Sequence, residues 1–265
     1  MRYSTKAMSL KNLRHPALAL ILAASAACSG GQPPPAQAPP PDAKRVDPAT
    51  AGTVSGKVAF EGTPPPNAPL KLDSDPNCVR EHPNGMTADA VLVNNGGLEN
   101  VFVYVKDGLG GYYFDTPTEA VKLDQKGCRY TPHVVGLRTG QPLEIGNSDP
   151  TMHNVHAMAN ANQEFNLSQP LAGIKNTKTF TAPEVMVHFK CNVHMWMEAY
   201  VGVLAHPYFA VTANGGAFEL KNLPPGTYTV AAWHEKLGTQ TQKVTLADKE
   251  TKAITFTFEG KAATP

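Results

Sequence analysis

The sequence is poor in charge. Only 17% of its 265 residues are charged, and Lys plus Arg number 23 against 22 Asp plus Glu, for a net charge of +1. A near-neutral chain without a basic run interleaved with aromatics has no electrostatic case for binding nucleic acid. There is no amphipathic stretch of ten or more residues, so helices are not the scaffold. No apolar run is long enough to span a bilayer. Catalytic signatures such as G-x-S-x-G and H-E-x-x-H are absent, as is the C-x-x-C-H of covalent haem attachment, and Glu144 and Asp149 have no placed catalytic partner. The chain is therefore expected not to be an enzyme.

In place of helices the chain has 24 Pro, 22 Gly and many Val and Thr residues, a composition that suits an all-β protein. The first residues differ. Lys6, Lys11, Arg14 and His15 precede the apolar run Ala17 to Ala24, which is too short to span a membrane and fits the core of a signal peptide. Ser25-Ala26-Ala27-Cys28 follows and resembles a bacterial lipobox, with Ser25 where such motifs prefer Leu. That resemblance implies residues 1–28 as a signal segment, lipidation of Cys28 and, with Ser29 next, an outer-membrane destination facing the periplasm or the cell surface. Plain secretion after the small residues is the other reading. Residues 29–52 are Pro-rich and too polar to bury a core, as expected of an extended spacer.

From residue 53 onward, short alternating runs are separated by turn residues. VSGKVAF (54–60) is one, and Val101 to Val105 follows the Asn95-Gly96-Gly97 turn. Residues 73–89 show no periodicity and contain Cys78. Val185, Val187, Phe189 and Cys191 occupy alternate positions and should share one strand face, with Met186, His188 and Lys190 on the other. A second set of strands begins near His206, so the expectation is two sandwiches, spanning 53–204 and 205–262.

The chemistry concentrates in HFKCNVHMWME (188–198). Cys191, His194 and Met197 offer a thiolate, an imidazole and a thioether on one short loop. Upstream, NSDPTMHNVH (147–156) follows an apolar strand and delivers His153. Two imidazoles, a thiolate and a weak thioether make up the ligand set of a blue-copper site.

His153-Asn154-Val155-His156 with Cys191-x2-His194-x2-Met197 resembles the cupredoxins, in particular those with an amicyanin-like ligand loop. The preceding TPHVVGLRTGQPLEIGNSDPTMHNV extends the likeness over roughly residues 125–204. The resemblance implies a Greek-key sandwich holding one type 1 copper on His153, Cys191, His194 and Met197, with Met195 competing for the axial place. It implies that Asn154 braces the ligand loop. It also makes His133 a neighbour of the metal or an alternative ligand, and residues 53–124 the remaining strands of the same sandwich. His156 and His188 should point away from the metal, while Met195 and Trp196 could form an apolar patch for an unidentified redox partner protein. A redox-inert copper-handling protein and a metal-free surface binding module are the rival readings.

Residues 205–262 resemble carboxypeptidase regulatory-like modules through Phe218-x-Leu220, Leu223-Pro224-Pro225-Gly226-Thr227-Tyr228 and Ala232-Trp233-His234. The first strand such a module needs is missing there or shared with 198–205. His206 and His234 could pair on a metal, though packing roles are the simpler reading. Of the four cysteines, if Cys28 carries lipid and Cys191 carries chemistry, Cys78 and Cys128 remain, and an oxidising compartment favours a disulfide between them; two buried free thiols are the other reading.

Overall fold

The computed structural model describes residues 39–260; the expected signal segment, Cys28 and the start of the expected spacer lie outside the described residues. The N-terminal strands are β1 (Gly52–Glu61), β2 (Val93–Asn94), β3 (Gly97–Leu98) and β4 (Phe102–Asp107), with the six-residue helix α1 (Pro76–Glu81) between β1 and β2. A middle group follows: β5 (Val121–Gln125), β6 (Tyr130–Thr131), β7 (Val134–Arg138), β8 (Pro142–Asn147), β9 (His153–Met158), β10 (Phe165–Gln169), β11 (Lys175–Thr179), β12 (Glu184–Lys190) and β13 (Glu198–Leu204). The last group is β14 (Phe209–Val211), β15 (Ala217–Leu223), β16 (Gly226–His234), β17 (Gly238–Leu246) and β18 (Thr251–Glu259).

The sheets are not divided at residue 204, where the alternation of the sequence suggests a boundary. β1 pairs in parallel with β18, from Thr53 beside Thr251 to Glu61 beside Glu259, and antiparallel with β15. β4 lies between β14 and β16, with β17 beyond. The N-terminal strands thus complete the C-terminal sandwich, and residues 53–107 are not part of the sandwich that carries the ligand loop. That second sandwich is β5 to β13 alone, with sheets ordered β10-β9-β12-β13-β7 and β11-β8-β5-β6. One β-sandwich is inserted in the chain of another. Period-two alternation shows which face of a strand is buried but not which strand pairs with it. β1 adds a strand to the C-terminal sandwich, while Glu198–Leu204 forms β13, which pairs with β12 and, in parallel, with β7.

Each sandwich has its own core. Val54, Val58, Phe218, Tyr228, Val230 and Phe256 are among the buried side chains of the outer one. Leu123, Ile145, Val155, Val187, Phe189 and Val201 are among those of the inner one. A third cluster joins them at a seam, where Phe102 of β4 and Phe209 of β14 press on β7 and β13. Two glycines make the approach close. A Cβ on Gly136 would stand 2.4 Å from the Phe209 ring, and one on Gly202 would stand 2.5 Å from Phe102.

The Gly202→Ala variant should therefore displace the Phe102 ring and lose about 1–3 kcal/mol of stability, as overpacked sites do. An unchanged midpoint in urea unfolding would show that the seam has slack.

Candidate metal centre

β12 presents Val187 and Phe189 to the inner core and ends at Cys191, also buried, as the alternation requires. The chain then turns sharply. The Cys191 amide donates to the Met197 carbonyl at 3.1 Å and the Met197 amide to the His194 carbonyl at 2.9 Å, closing a loop that keeps Cys191, His194 and Met197 inside. Met195 is 71% exposed while Met197 is buried. His153 opens the neighbouring β9 and is buried too. The loop before it is organised by buried Asn147, whose Oδ1 accepts from the Asp149 amide at 2.9 Å and whose amide group donates to the carbonyls of Thr151 and Gln169.

Donor atoms of His153, Cys191 and His194 lie within 4.8 Å of one another. His153 Nδ1 and His194 Nδ1 are 2.9 Å apart, and Cys191 Sγ is 3.8 Å from His194 Nδ1. Sγ also accepts from the amides of Asn154 (3.3 Å) and His194 (3.4 Å). Asn154 braces the loop further: its Oδ1 accepts from the Asn192 amide at 3.0 Å, and its Nδ2 donates to the Leu167 carbonyl at 3.0 Å and to Asn166 Oδ1.

The outer edge of each imidazole meets a carboxylate. His153 Nε2 is 2.8 Å from Asp149 and His194 Nε2 is 3.0 Å from Asp75. Facing acceptors, both Nε2 atoms must carry hydrogen, so both Nδ1 lone pairs turn inward toward each other. At this separation something positive must stand between them, and in the metal-free protein that is a proton. Burial pushes the His153 pKa down, but Asp149 and the Cys191 thiolate more than offset it and raise it to about 9. Burial likewise raises the Cys191 thiol, yet hydrogen bonds from His153, His194 and the two amides bring it to about 6, a thiolate at neutral pH.

The carboxylates are themselves held. Asp149 accepts from two successive amides, Gly127 at 2.7 Å and Cys128 at 2.8 Å. Both of those residues lie in the left-handed region, at φ 64° and 53°, which points consecutive N–H groups into one anion-binding hollow. Asp75 caps α1 by accepting from the Asn77 amide at 2.7 Å, and its second oxygen accepts from Thr151 Oγ at 2.6 Å. Burial would raise its pKa, but Thr151, the Asn77 amide and His194 hold it at about 2.

A disulfide between Cys78 and Cys128 joins the two carboxylate holders. Leu72, Cys78, Met86 and Cys128 form a small apolar cluster over the site, with Leu70 and Trp196 packed against it. Arg129 binds Asp89 at 2.8 Å and His82 Nε2 contacts the Gly127 carbonyl at 2.8 Å. The segment between β1 and β2, part of the outer sandwich, thus lies over His194 of the inner one. Of the two residues expected to form an apolar patch here, Trp196 is held inward, its Nε1–H donating to the Cys128 carbonyl at 3.0 Å and its ring 5.0 Å from that of His194, while Met195 is exposed.

Other sequence candidates stand apart. His133 is not among the clustered donors. It lies at the seam, with Nε2 2.5 Å from Glu235 of β16–β17 and Nδ1 near the Glu198 carbonyl. The Tyr-Thr-Pro element before His133 carries no sign of this seam, because Glu235 is 102 residues further along the chain. His156 pairs with Glu164, and His188 stacks on Tyr200. His206 and His234 accept from nearby backbone amides, burial lowers both to about 4, and neither joins a ligand group among the described residues. Reading the sequence missed Asp75 and set Asp149 aside. Asp75-Pro76 is a helix-start signal, but nothing in the sequence says what the other carboxylate oxygen faces.

Residues 198–259 match the carboxypeptidase regulatory-like domain, so the C-terminal part of the chain carries that module. No curated protein sequence matches. Solved structures similar to parts of the chain are cupredoxins. One is a Cu-containing nitrite reductase from Thermus scotoductus SA-01, 19% identical over 34% of this chain, with TM-score 0.31; the chain spans 23% of its length. Another is a reduced amicyanin variant, 24% identical over 32% of this chain and 81% of its own, with TM-score 0.29.

Two predictions follow from the surroundings of the site. Removing the cross-link with Cys78→Ser and Cys128→Ser together frees a 50-residue separation in the unfolded chain and should cost about 4 kcal/mol, read from the urea midpoint. Burial disfavours a charged His133, but Glu235 more than offsets this and its pKa stands above 6.5. The stability that this pair supplies is therefore fully present below pH 6.5 and is lost as pH rises through the raised value. The stability difference between native protein and Glu235→Gln should shrink on the alkaline side; a difference independent of pH would refute the pairing.

Proposed function

We propose that the chain is an exported copper protein that carries single electrons at one mononuclear type 1 site. The observation that carries this reading is the buried convergence of two inward Nδ1 lone pairs and a thiolate. His153, Cys191 and His194 fit the group by chemistry: a thiolate suits Cu(I), and neutral imidazoles suit both oxidation states. Met197, buried beside Cys191 in the same core, is the axial candidate, because exposed Met195 faces solvent.

A copper ion held by His153, Cys191 and His194 would supply a one-electron couple. The protein's own residues do the rest. Asp149 and Asp75 hold the ring orientations, the Asn154 and His194 amides hold the sulfur, and the covering segment keeps water out. The shared imidazole proton leaves when a cation enters. No acid–base or nucleophilic pair is needed, so the protein is a carrier and not an enzyme. The partner is a redox protein, not nucleic acid. The disulfide suits an oxidising compartment, which supports export, and lipidation at Cys28 would tether the protein to the outer membrane by the Pro-rich spacer. No helix among the described residues is long and apolar enough to cross a membrane.

Oxidised copper-loaded protein should show an intense thiolate-to-copper band near ~600 nm, as His2Cys sites with a weak axial ligand do. Cys191→Ala should abolish it. A colourless oxidised protein removes the type 1 assignment, and a bound copper without a reversible potential points to copper handling instead.

A further inference from the structure

In a blue-copper reading only the two imidazoles, the thiolate and the thioether touch the ion. The structure adds a residue from outside the inner sandwich. Asp75 stands 119 positions before His194 in the chain, yet its Oδ2 is 3.0 Å from His194 Nε2. His194 is fully buried, and both Asp75 and Cys78 stand against its Nε2 edge, with Cys78 Sγ at 3.8 Å.

We propose that Asp75 is a positioning residue for the metal site: it fixes the His194 ring with Nδ1 turned toward Cys191 and His153, and by its charge it favours the oxidised ion. The proposal rests on the copper reading above.

Its geometry is over-determined. One Asp75 oxygen caps α1 through the Asn77 amide, and the other accepts from both Thr151 Oγ and His194 Nε2. The next residues, Pro76 to Cys78, run into the disulfide with Cys128, whose own amide holds Asp149 against the other ligand ring. The same cross-linked unit therefore orients both imidazoles, from their outer edges, by the carboxylate–histidine arrangement that fixes tautomer and ring direction in metal sites. The electrostatic consequence is directional. Cu(II) carries one more positive charge than Cu(I), so a carboxylate hydrogen-bonded to a ligand ring in a water-poor site stabilises Cu(II) more.

Asp75→Asn tests this, because Asn caps helices as well as Asp and α1 should remain. In copper-free protein, nitrogen-15 NMR should show His194 as the Nε2–H tautomer in the native chain and as a mixture in the variant. In copper-loaded protein, the variant should shift the Cu(II)/Cu(I) equilibrium toward Cu(I) roughly tenfold, about 59 mV for one electron. Thr151→Val leaves the carboxylate and the cap in place and should move both readouts the same way by less. If both variants fold and neither readout moves, Asp75 is only a helix cap and the proposal is overturned. If the native chain takes up no copper, the copper reading fails, while the nitrogen shifts still decide whether Asp75 sets the His194 ring.

Discussion

Two nitrogen lone pairs held 2.9 Å apart in a buried pocket repel unless something positive lies between them. That constraint runs through the structure around the ligand loop. It follows from the carboxylates at the outer ring edges, which require hydrogen on each Nε2. It accords with the upward pull of Asp149 and Cys191 on the His153 pKa and the downward pull of the hydrogen bonds to Cys191 on its own. It also makes the pocket a ready receptor for a cation, since a metal ion can replace the proton without any ring turning over.

Holding that arrangement takes parts from both sandwiches. The inner one supplies His153 at the start of β9, the loop from Cys191 to Met197 and the Gly127–Cys128 amides. The outer one supplies Asp75 on the segment between β1 and β2. The Cys78–Cys128 cross-link and the cluster of Leu72, Met86 and Trp196 tie that segment down. Insertion of one sandwich in the other makes this economical. The chain leaves the outer sandwich after β4 and returns at β14, so the outer sheets stay packed on β7 and β13 at the Phe102 seam and the long segment after β1 remains within reach of the site.

The local features were legible before the fold was. Alternation over Val185 to Cys191 indicates a strand whose buried face ends in the cysteine, and the structure buries Val187, Phe189 and Cys191 accordingly. The same kind of pattern located β1, β8 and the strands from β14 onward. The resemblance implied that β1 to β4 belong to the inner sandwich, and alternation could not correct it, because alternation is a property of one strand and pairing is a property of two. The partner of His133 was out of reach for the same reason: Glu235 lies on the other sandwich.

What the sequence by itself determined is the set of chemical types and their local order: an all-β chain, a Cys-x2-His-x2-Met loop, a histidine 38 residues upstream of its cysteine and two further cysteines without another task. These depend on spacing within one strand or loop, which short-range sterics dictate. Only the tertiary structure decided that the N-terminal strands close the C-terminal sandwich, that Met195 faces water while Met197 is buried, and that Asp75 and Asp149 stand behind the two imidazoles. Those outcomes depend on contacts between residues far apart in the chain, where many pairings satisfy the same pattern and packing of the whole molecule selects one.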